Sequence, residues 1–528
     1  MVHLIKRMIS SKSKKNATPI REQNAPELNK DSLQRELGAS LSDNIRFLQE
    51  TLGQSSDYVC RKIGEEDNLA VAYLQGMADQ KLLAVLMKEM LPFARASEMA
   101  THLPHRIAEQ LPFGNVEQEG TEQEVLKCIL NGKVVLLVDG MNGALSVAIQ
   151  GGAQRAVEEP TSQTVIRGPK EGFTENIGTN IALVRRKVKS LDMRVKTQTI
   201  GRLTQTEVST VYLEGIAKPE VLEEVTARLG AIDIDSVLES GYLEEFLQNR
   251  RYTPFPTMMN TERPDAVAAS ILEGGVAIFV DGTPFVLLAP ATFFKFLFSS
   301  EDYYQSFDIS TFLRFVRFFS FLVATFLPSL FIAITTFHQE MLPTTLLISL
   351  TAQREGTPLP ALIEALLMEL TFEIIREAGV RMPRAIGPAI SIVGALVLGQ
   401  AAVQAGLVSA AMVIVVSFTA ISNFVIPAIN LAAAIRLLRF VFMILGGTLG
   451  LFGILAGAIP VLVHMIALRS FGVPYMTPLA PFDSSAFRDF LIRAPWSRMN
   501  RRPVTTATHN LKRQPGKESS GLKEEERS

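Results

Sequence analysis

The 528-residue chain is poor in what most protein chemistry requires. It has two cysteines, Cys60 and Cys128, far apart and without metal-ligand spacing. That excludes a disulfide framework and a cysteine zinc site, and fits a reducing compartment for the part that carries them. Histidine is scarce too, and His102 and His105 in HLPH have no further ligands nearby, so a surface loop accounts for them. A formal net charge of −1 offers no strongly basic face for nucleic acid. Neither GGAQRAVEEP (151–160) nor RGPKEG (167–172) fits a phosphate-binding loop, so their glycines read as turns. No Ser/His/Asp or Cys/His arrangement stands out. The chain is therefore expected to be no enzyme and to hold no catalytic residues, metal or cofactor. The N-terminus, MVHLIKRMISSKSKKN, is basic but lacks the apolar core and cleavage site of a secretory signal. The soluble half is accordingly expected to stay cytosolic.

What the chain does have is unevenly spread. Residues 1–300 carry charge throughout, whereas 312–468 are dominated by apolar runs. The fold class that follows is an α/β soluble N-terminal half, followed by an all-α polytopic membrane domain. The expected divisions are a disordered arm (1–38), two α/β subdomains (39–160 and 161–300), a membrane domain (301–482) and a basic, largely disordered tail (483–528).

The two subdomains come from an internal duplication. AVAYLQGMADQKLLAVLMKEML (70–91) reads as strand, glycine turn and helix, and STVYLEGIAKPEVLEEVTARL (209–229) repeats that order with Tyr212 in place of Tyr73. Further on, TEQEVLKCILNGKVVLLVDG (121–140) matches TERPDAVAASILEGGVAIFVDG (261–282). In each, a helix leads into an apolar strand ending Val-Asp-Gly, and Asp-Gly between apolar runs predicts a hairpin. Between the copies, residues 165–204 are basic through Arg185, Arg186, Lys187 and Lys189. These four are expected either on a solvated helix face or docked to a partner subunit or anionic lipid.

In the second half, spans are expected at about 312–337, 386–404, 407–429 and 438–467, while 341–352 is too short to cross a bilayer. Pro328, Pro427 and Pro460 mark expected kinks or breaks. The arginines conflict, because Arg436 and Arg439 precede the last span and Arg469 follows it. With one crossing between them, both groups cannot be cytosolic. Four to six crossings with both termini inside is the expectation.

The stretch that invites a function is 359–378, an apolar helix pattern carrying Glu364, Glu369, Glu373 and Glu377. Carboxylates at membrane depth are costly unless something polar faces them. Copies of the chain around an axis would supply a wet path, with Glu369 and Glu373 facing water and Glu364 and Glu377 near the ends. Ile390, Val393, Val397, Gln400 and Gln404 would then line an uncharged constriction. The alternative is that the glutamates pair with Arg376, Arg381 and Arg384 inside a bundle that conducts nothing.

RGPKEGFTENIGTNIALVRR, VDGTPFVLLAP, FHQEMLPTTLL, EALLMELTFEIIREAGVRMP, SIVGALVLGQAAVQAGLVS and RSFGVPY resemble the A subunit of the GerA-type spore germination receptors, in order from about residue 40 to 482. The resemblance implies a multi-pass protein of the inner spore membrane with a cytosolic N-terminal domain. It implies homo-oligomerisation as a pentamer, into a nutrient-gated channel for monovalent cations. It also implies a permease-like B subunit and a lipoprotein C subunit as partners, and no catalytic residues.

Overall fold

The computed structural model describes residues 35–513, apart from 54, 65–67, 95–106, 108–110, 114, 152–159, 161–162, 164, 249–251, 383–398, 484–486, 488, 504–505 and 508–509. The arm expected over 1–38 lies almost wholly outside the described residues, as do His102 and His105.

Duplication at the sequence level becomes duplication of topology. The first subdomain runs α1 (Leu41–Thr51), β1 (Tyr58–Ile63), β2 (Leu69–Leu74), α2 (Gln80–Ala94), β3 (Val116–Glu119), α3 (Glu122–Leu130), β4 (Val134–Val138) and β5 (Ala144–Val147). The second runs α4 (Ile177–Lys187), β6 (Met193–Ile200), β7 (Thr206–Leu213), α5 (Pro219–Gly230), α6 (Ser240–Leu247), β8 (Met259–Thr261), α7 (Pro264–Leu272), β9 (Val276–Val280) and β10 (Val286–Ala289). Both form five-stranded sheets, ordered β1-β2-β4-β5-β3 and β6-β7-β9-β10-β8. Every pairing is antiparallel. The central strands VVLLV and VAIFV are buried along their whole length, because helices or loops cover both faces of each sheet.

The Val-Asp-Gly strand ends turn into hairpins as expected, with Gly140 and Gly282 at φ 78° and 87°. Their aspartates have a second role that the strand pattern did not reveal. Asp139 Oδ1 accepts from the backbone N–H of Leu41 at 3.0 Å, and Asp281 Oδ1 from that of Ile177 at 3.2 Å. Each thus caps the helix that opens its own subdomain. α1 and α4 are therefore a third repeated element, and each carries an asparagine, Asn44 or Asn180, that donates to a backbone carbonyl six residues earlier.

The second half is helical: α8 (Phe307–Phe337), α9 (Thr344–Glu355), α10 (Ala361–Arg381), α11 (Gly399–Gln404), α12 (Ala410–Phe424) and α13 (Ile429–Ala467). Of these, α8 and α13 are long and apolar enough to cross a membrane. The span expected over 386–404 falls mostly outside the described residues. The chain breaks at Pro427, between α12 and α13, but α8 continues through Pro328 and α13 through Pro460.

A straight α13 of 39 residues would be ~58 Å long, nearly twice a hydrocarbon core of about 30 Å. It is not straight. Gly450 has φ 65° and ψ −146°, outside the helical region. Beyond it, a Cβ on Gly453 would stand 2.2 Å from the carbonyl oxygen of Leu445, and one on Gly457 3.1 Å from the Phe442 ring. In one continuous helix residues 442 and 457 would lie ~22 Å apart. α13 is therefore a hairpin, an outgoing leg over 429–449 and a returning leg over 451–467, with glycines admitting the close packing. This replaces the single span expected at 438–467.

α8 runs parallel to the outgoing leg, with Phe326 against Phe442 at 4.8 Å between ring centroids and Phe337 against Gly450. α10 runs the opposite way, placing Leu362 against Gly447 and Glu373 beside Arg436. The returning leg ends on the second subdomain, where Ser470 Oγ donates to the Thr257 carbonyl at 2.6 Å and accepts from the Ala291 N–H at 3.0 Å. Arg436, about two turns into the outgoing leg, and Arg469, just past the returning leg, therefore lie toward the soluble half, while Arg439 stands midway along the outgoing leg, level with Ala324 of α8.

The tail differs from expectation as well. Its described residues fold back over the second subdomain. Ala507 bridges Ala217, Arg502 Nε donates to the Leu272 carbonyl at 2.8 Å, and Arg513 pairs with Glu273 at 2.6 Å. Carbonyls and a carboxylate at the end of α7 need donors, and the arginines of the tail supply them. Residues 514–528 lie outside the described residues.

Candidate functional site

α10 begins after Pro360, whose fixed φ suits the residue just ahead of a first helical turn, and its four glutamates meet four different fates. Glu364 and Glu369 are fully buried. Glu364 Oε1 accepts from the backbone N–H of Ser409 at 2.6 Å and from its hydroxyl at 2.7 Å. Ser409 is itself the N-cap of α12, accepting from the Met412 N–H. The carboxylate thus faces the positive end of a helix, where negative charge is favoured.

Glu369 accepts from Arg439 Nη1 at 2.7 Å, and Arg439 Nε donates to the Ala324 carbonyl of α8 at 2.8 Å. One guanidinium therefore ties α8, α10 and the outgoing leg together. Glu373, half-buried, takes Arg376 Nη2 at 2.6 Å and Arg436 Nη1 at 3.2 Å. Glu377 is exposed and pairs with Arg381, whose Nε lies 2.8 Å away. Within one chain, then, Glu369 does not face water as expected but is held by its own chain's arginine. The paired alternative named Arg376 and Arg381 correctly, and Arg384 lies outside the described residues. It missed Arg436 and Arg439. Arg436 and Arg439 lie about one helical turn apart, as Glu369 and Glu373 do on the facing helix, but that match is visible only once the register between helices is known.

The polar ladder is incompletely matched. Glu364 Oε2, Glu369 Oε1 and Arg439 Nη2 are buried without a hydrogen-bond partner among the described residues. The opposite face of α10 exposes Ile363, Leu367, Leu370 and Ile374, continuing to Glu377 and Arg381. Gln400 and Gln404 on α11 are exposed, while Ile390, Val393 and Val397 fall outside the described residues.

The basic cluster at the end of α4 divides into buried and exposed members. Arg185 is only 2% exposed and closes its Nε and Nη2 on Asp57 at 2.7 and 3.0 Å, across the boundary between subdomains. Arg186 donates to the Gly151 carbonyl, Lys187 pairs with Glu171, and Lys189 reaches Asn131. Arg185 and Arg186 are thus taken up at the seam where α4 packs, while Lys187 and Lys189 are exposed, as the solvated alternative expects.

The soluble half meets the helices through further polar contacts that the sequence did not single out. Asn430, in the first turn of α13, donates to Glu244 on α6 at 3.2 Å. Thr253 and His464 share a hydrogen bond of 2.9 Å. Arg314 and Arg317 at the start of α8 hold Asp302, and Arg314 also holds Asp489 of the tail.

Residues 46–505 match the family described as Bacillus/Clostridium GerA spore germination protein. Spore germination protein KA of Bacillus subtilis (strain 168) is 47% identical over 483 residues, covering 90% of this chain and 89% of that protein. The uncharacterized membrane protein YfkQ of the same organism is 42% identical, covering 91% of this chain and 94% of its own length. Among solved structures, the N-terminal domain of the A subunit of the Bacillus megaterium spore germinant receptor GerK3 is similar, with 41% identity. It covers 49% of this chain and 98% of that domain, at a TM-score of 0.37.

Proposed function

We propose, because the chain belongs to the GerA family of Bacillus/Clostridium spore germination proteins, that it is the membrane subunit of a nutrient-responsive germination receptor. In this reading several copies, five by resemblance, surround a gated path that releases monovalent cations. The soluble half faces the cytosol, the helical half sits in the inner spore membrane, and a permease-like sensor subunit and a lipoprotein complete the receptor. No enzymatic step is involved.

One observation carries the reading: Glu364, Glu369 and Glu373 lie on a helix packed among apolar spans, and two of them are fully buried. Such groups are costly at membrane depth and mark ion pathways by default. The arginines that hold them make a closed state intelligible, with each carboxylate occupied until the outgoing leg shifts. The uncharged lining remains Ile390, Val393, Val397, Gln400 and Gln404, with the exposed Glu377 as the carboxylate nearest the soluble end. The test is potassium efflux from liposomes holding the purified full chain. Val393→Ala raises basal efflux, and Glu377→Gln reduces preference for cations over anions. Unchanged flux from normally assembled oligomers contradicts the reading.

A second reading is favoured by a specific observation, that Arg436 and Arg439 already match Glu373 and Glu369 within one chain. The subunit is then a non-conducting scaffold that docks the sensor and relays its signal. It predicts no conductance from intact oligomers, and defects that track loss of assembly.

A further inference from the structure

Where the tail returns to the first turns of α8, three arginines and two aspartates are gathered. Arg314, Arg493 and Asp302 are 1%, 2% and 1% exposed, and Arg317 is buried as well. Both aspartates are fully engaged. Asp302 accepts from Arg317 Nη1 at 2.7 and 2.8 Å, from Arg314 Nε at 3.3 Å and from the Ser299 N–H at 3.2 Å. Asp489 accepts from Arg314 Nη1 at 2.8 Å and from the Tyr303 hydroxyl at 2.7 Å. Neither aspartate accepts from Arg493.

Arg493 Nη1 donates to the Gln305 carbonyl at 3.2 Å, and its guanidinium lies 5.7 Å from the Tyr303 ring and 5.5 Å from the Trp496 ring. Its Nε and Nη2 donate to nothing among the described residues. These two N–H groups form the edge that grips a pair of oxygens. On two other buried arginines the same edge is closed by a carboxylate, Arg185 on Asp57 at 2.7 and 3.0 Å and Arg263 on Asp265 at 3.1 and 2.7 Å. On Arg314 and Arg439 the Nε at least is bonded while Nη2 is not, and on Arg493 neither is bonded among the described residues. A buried guanidinium without a counter-charge is among the costlier arrangements a fold can hold.

We propose that Arg493 anchors an oxyanion site whose ligand is a phosphate group, held through the Nε–Nη2 edge. The position selects phosphate. Thr311, whose hydroxyl accepts from the Arg493 backbone N–H at 3.2 Å, opens the second turn of α8. Phe307, Ile309, Phe312 and Phe315 are exposed around that turn, and Trp496 is half exposed over the guanidinium. Aromatic side chains so placed mark the membrane–water boundary, the depth at which phospholipid phosphates lie. A lipid headgroup and free phosphate share the chemistry, and the arms of one experiment separate them.

The full chain is purified in detergent and stripped of lipid. Native mass spectrometry follows retention of phosphatidylglycerol against diacylglycerol, and thermal unfolding is compared in phosphate and chloride at equal ionic strength. A lipid ligand gives one retained phosphatidylglycerol, no retained diacylglycerol and no response to phosphate. A free ligand gives a higher melting temperature in phosphate and no retained lipid. In either case Arg493→Lys, which keeps the charge but loses the edge, weakens binding about tenfold or more, while Arg498→Lys at an exposed position leaves it unchanged. If the unmodified chain responds to neither ligand, the edge is hydrated and the proposal fails. It fails equally if Arg493→Lys binds as tightly as the parent.

Discussion

Arg185 and Arg439 do similar work in different surroundings. Each is buried and pairs with one carboxylate, and each also donates to a backbone carbonyl of another element. Removing one member of such a pair leaves the other charged and unpartnered, at a cost of about 3–5 kcal/mol. Arg439→Met is therefore expected to lower the melting temperature of the detergent-solubilised protein sharply, whereas adding Glu369→Gln restores much of it. Glu244 adds a pH dependence. Burial pushes its carboxyl up to about 7, helped by Glu239 and opposed by the Asn430 amide. The folded chain thus holds a proton that the unfolded chain releases near its usual pKa of about 4.3. Stability from this group is accordingly lost as pH rises from there through about 7. Glu244→Gln should flatten the melting temperature between about pH 5 and 8 and exceed the parent at the upper end. Such residue-level roles were only partly legible. Charge and spacing flagged the α10 glutamates, but burial of Arg185 depends on Asp57, far away in the sequence, and no local pattern carries that.

At the scale of elements, local patterns carried a great deal. The strand–turn–helix repeats and the Val-Asp-Gly hairpins need only alternation, turn residues and helix period, all written within about twenty residues. The repeated opening helix was missed because α1 and α4 share little beyond Asn44 and Asn180 and a cap supplied from a remote strand. The α13 hairpin was missed for another reason. Its turn rests on one glycine among several in an unbroken apolar run, where hydropathy registers no boundary. Gly450 is where that reading can be checked. An alanine there must adopt a φ/ψ region nearly confined to glycine, at a cost of about 1–3 kcal/mol. Its Cβ would also stand 2.9 Å from His338 Nε2, the atom that accepts from the Leu451 N–H. Gly450→Ala is expected to lower the melting temperature. In the parent, cysteines placed at Thr448 and Arg469 should label from opposite faces of the membrane, and labelling from one face would contradict the hairpin.

For the whole molecule, the tail makes the soluble and helical halves one mechanical unit. Asp489, Phe490 and Arg493 touch the first turns of α8 and Arg502 touches α7, while the returning leg of α13 ends beside the strands of the second sheet. In the proposed receptor these contacts would carry a displacement of the second subdomain to α8 and α13, and Arg439 on α13 holds Glu369 of α10. The tail's part in these contacts was legible in the sequence only as a basic, polar C-terminus. The central claim is that copies of the chain assemble around a shared path bordered by the acid-bearing helices. Particle symmetry of the purified receptor subunit in detergent tests it most directly. The account predicts a closed ring of several copies with an axial opening and α10 with its neighbouring segment innermost. A solitary chain, or a ring with α10 turned outward to lipid and no opening on the axis, would contradict it.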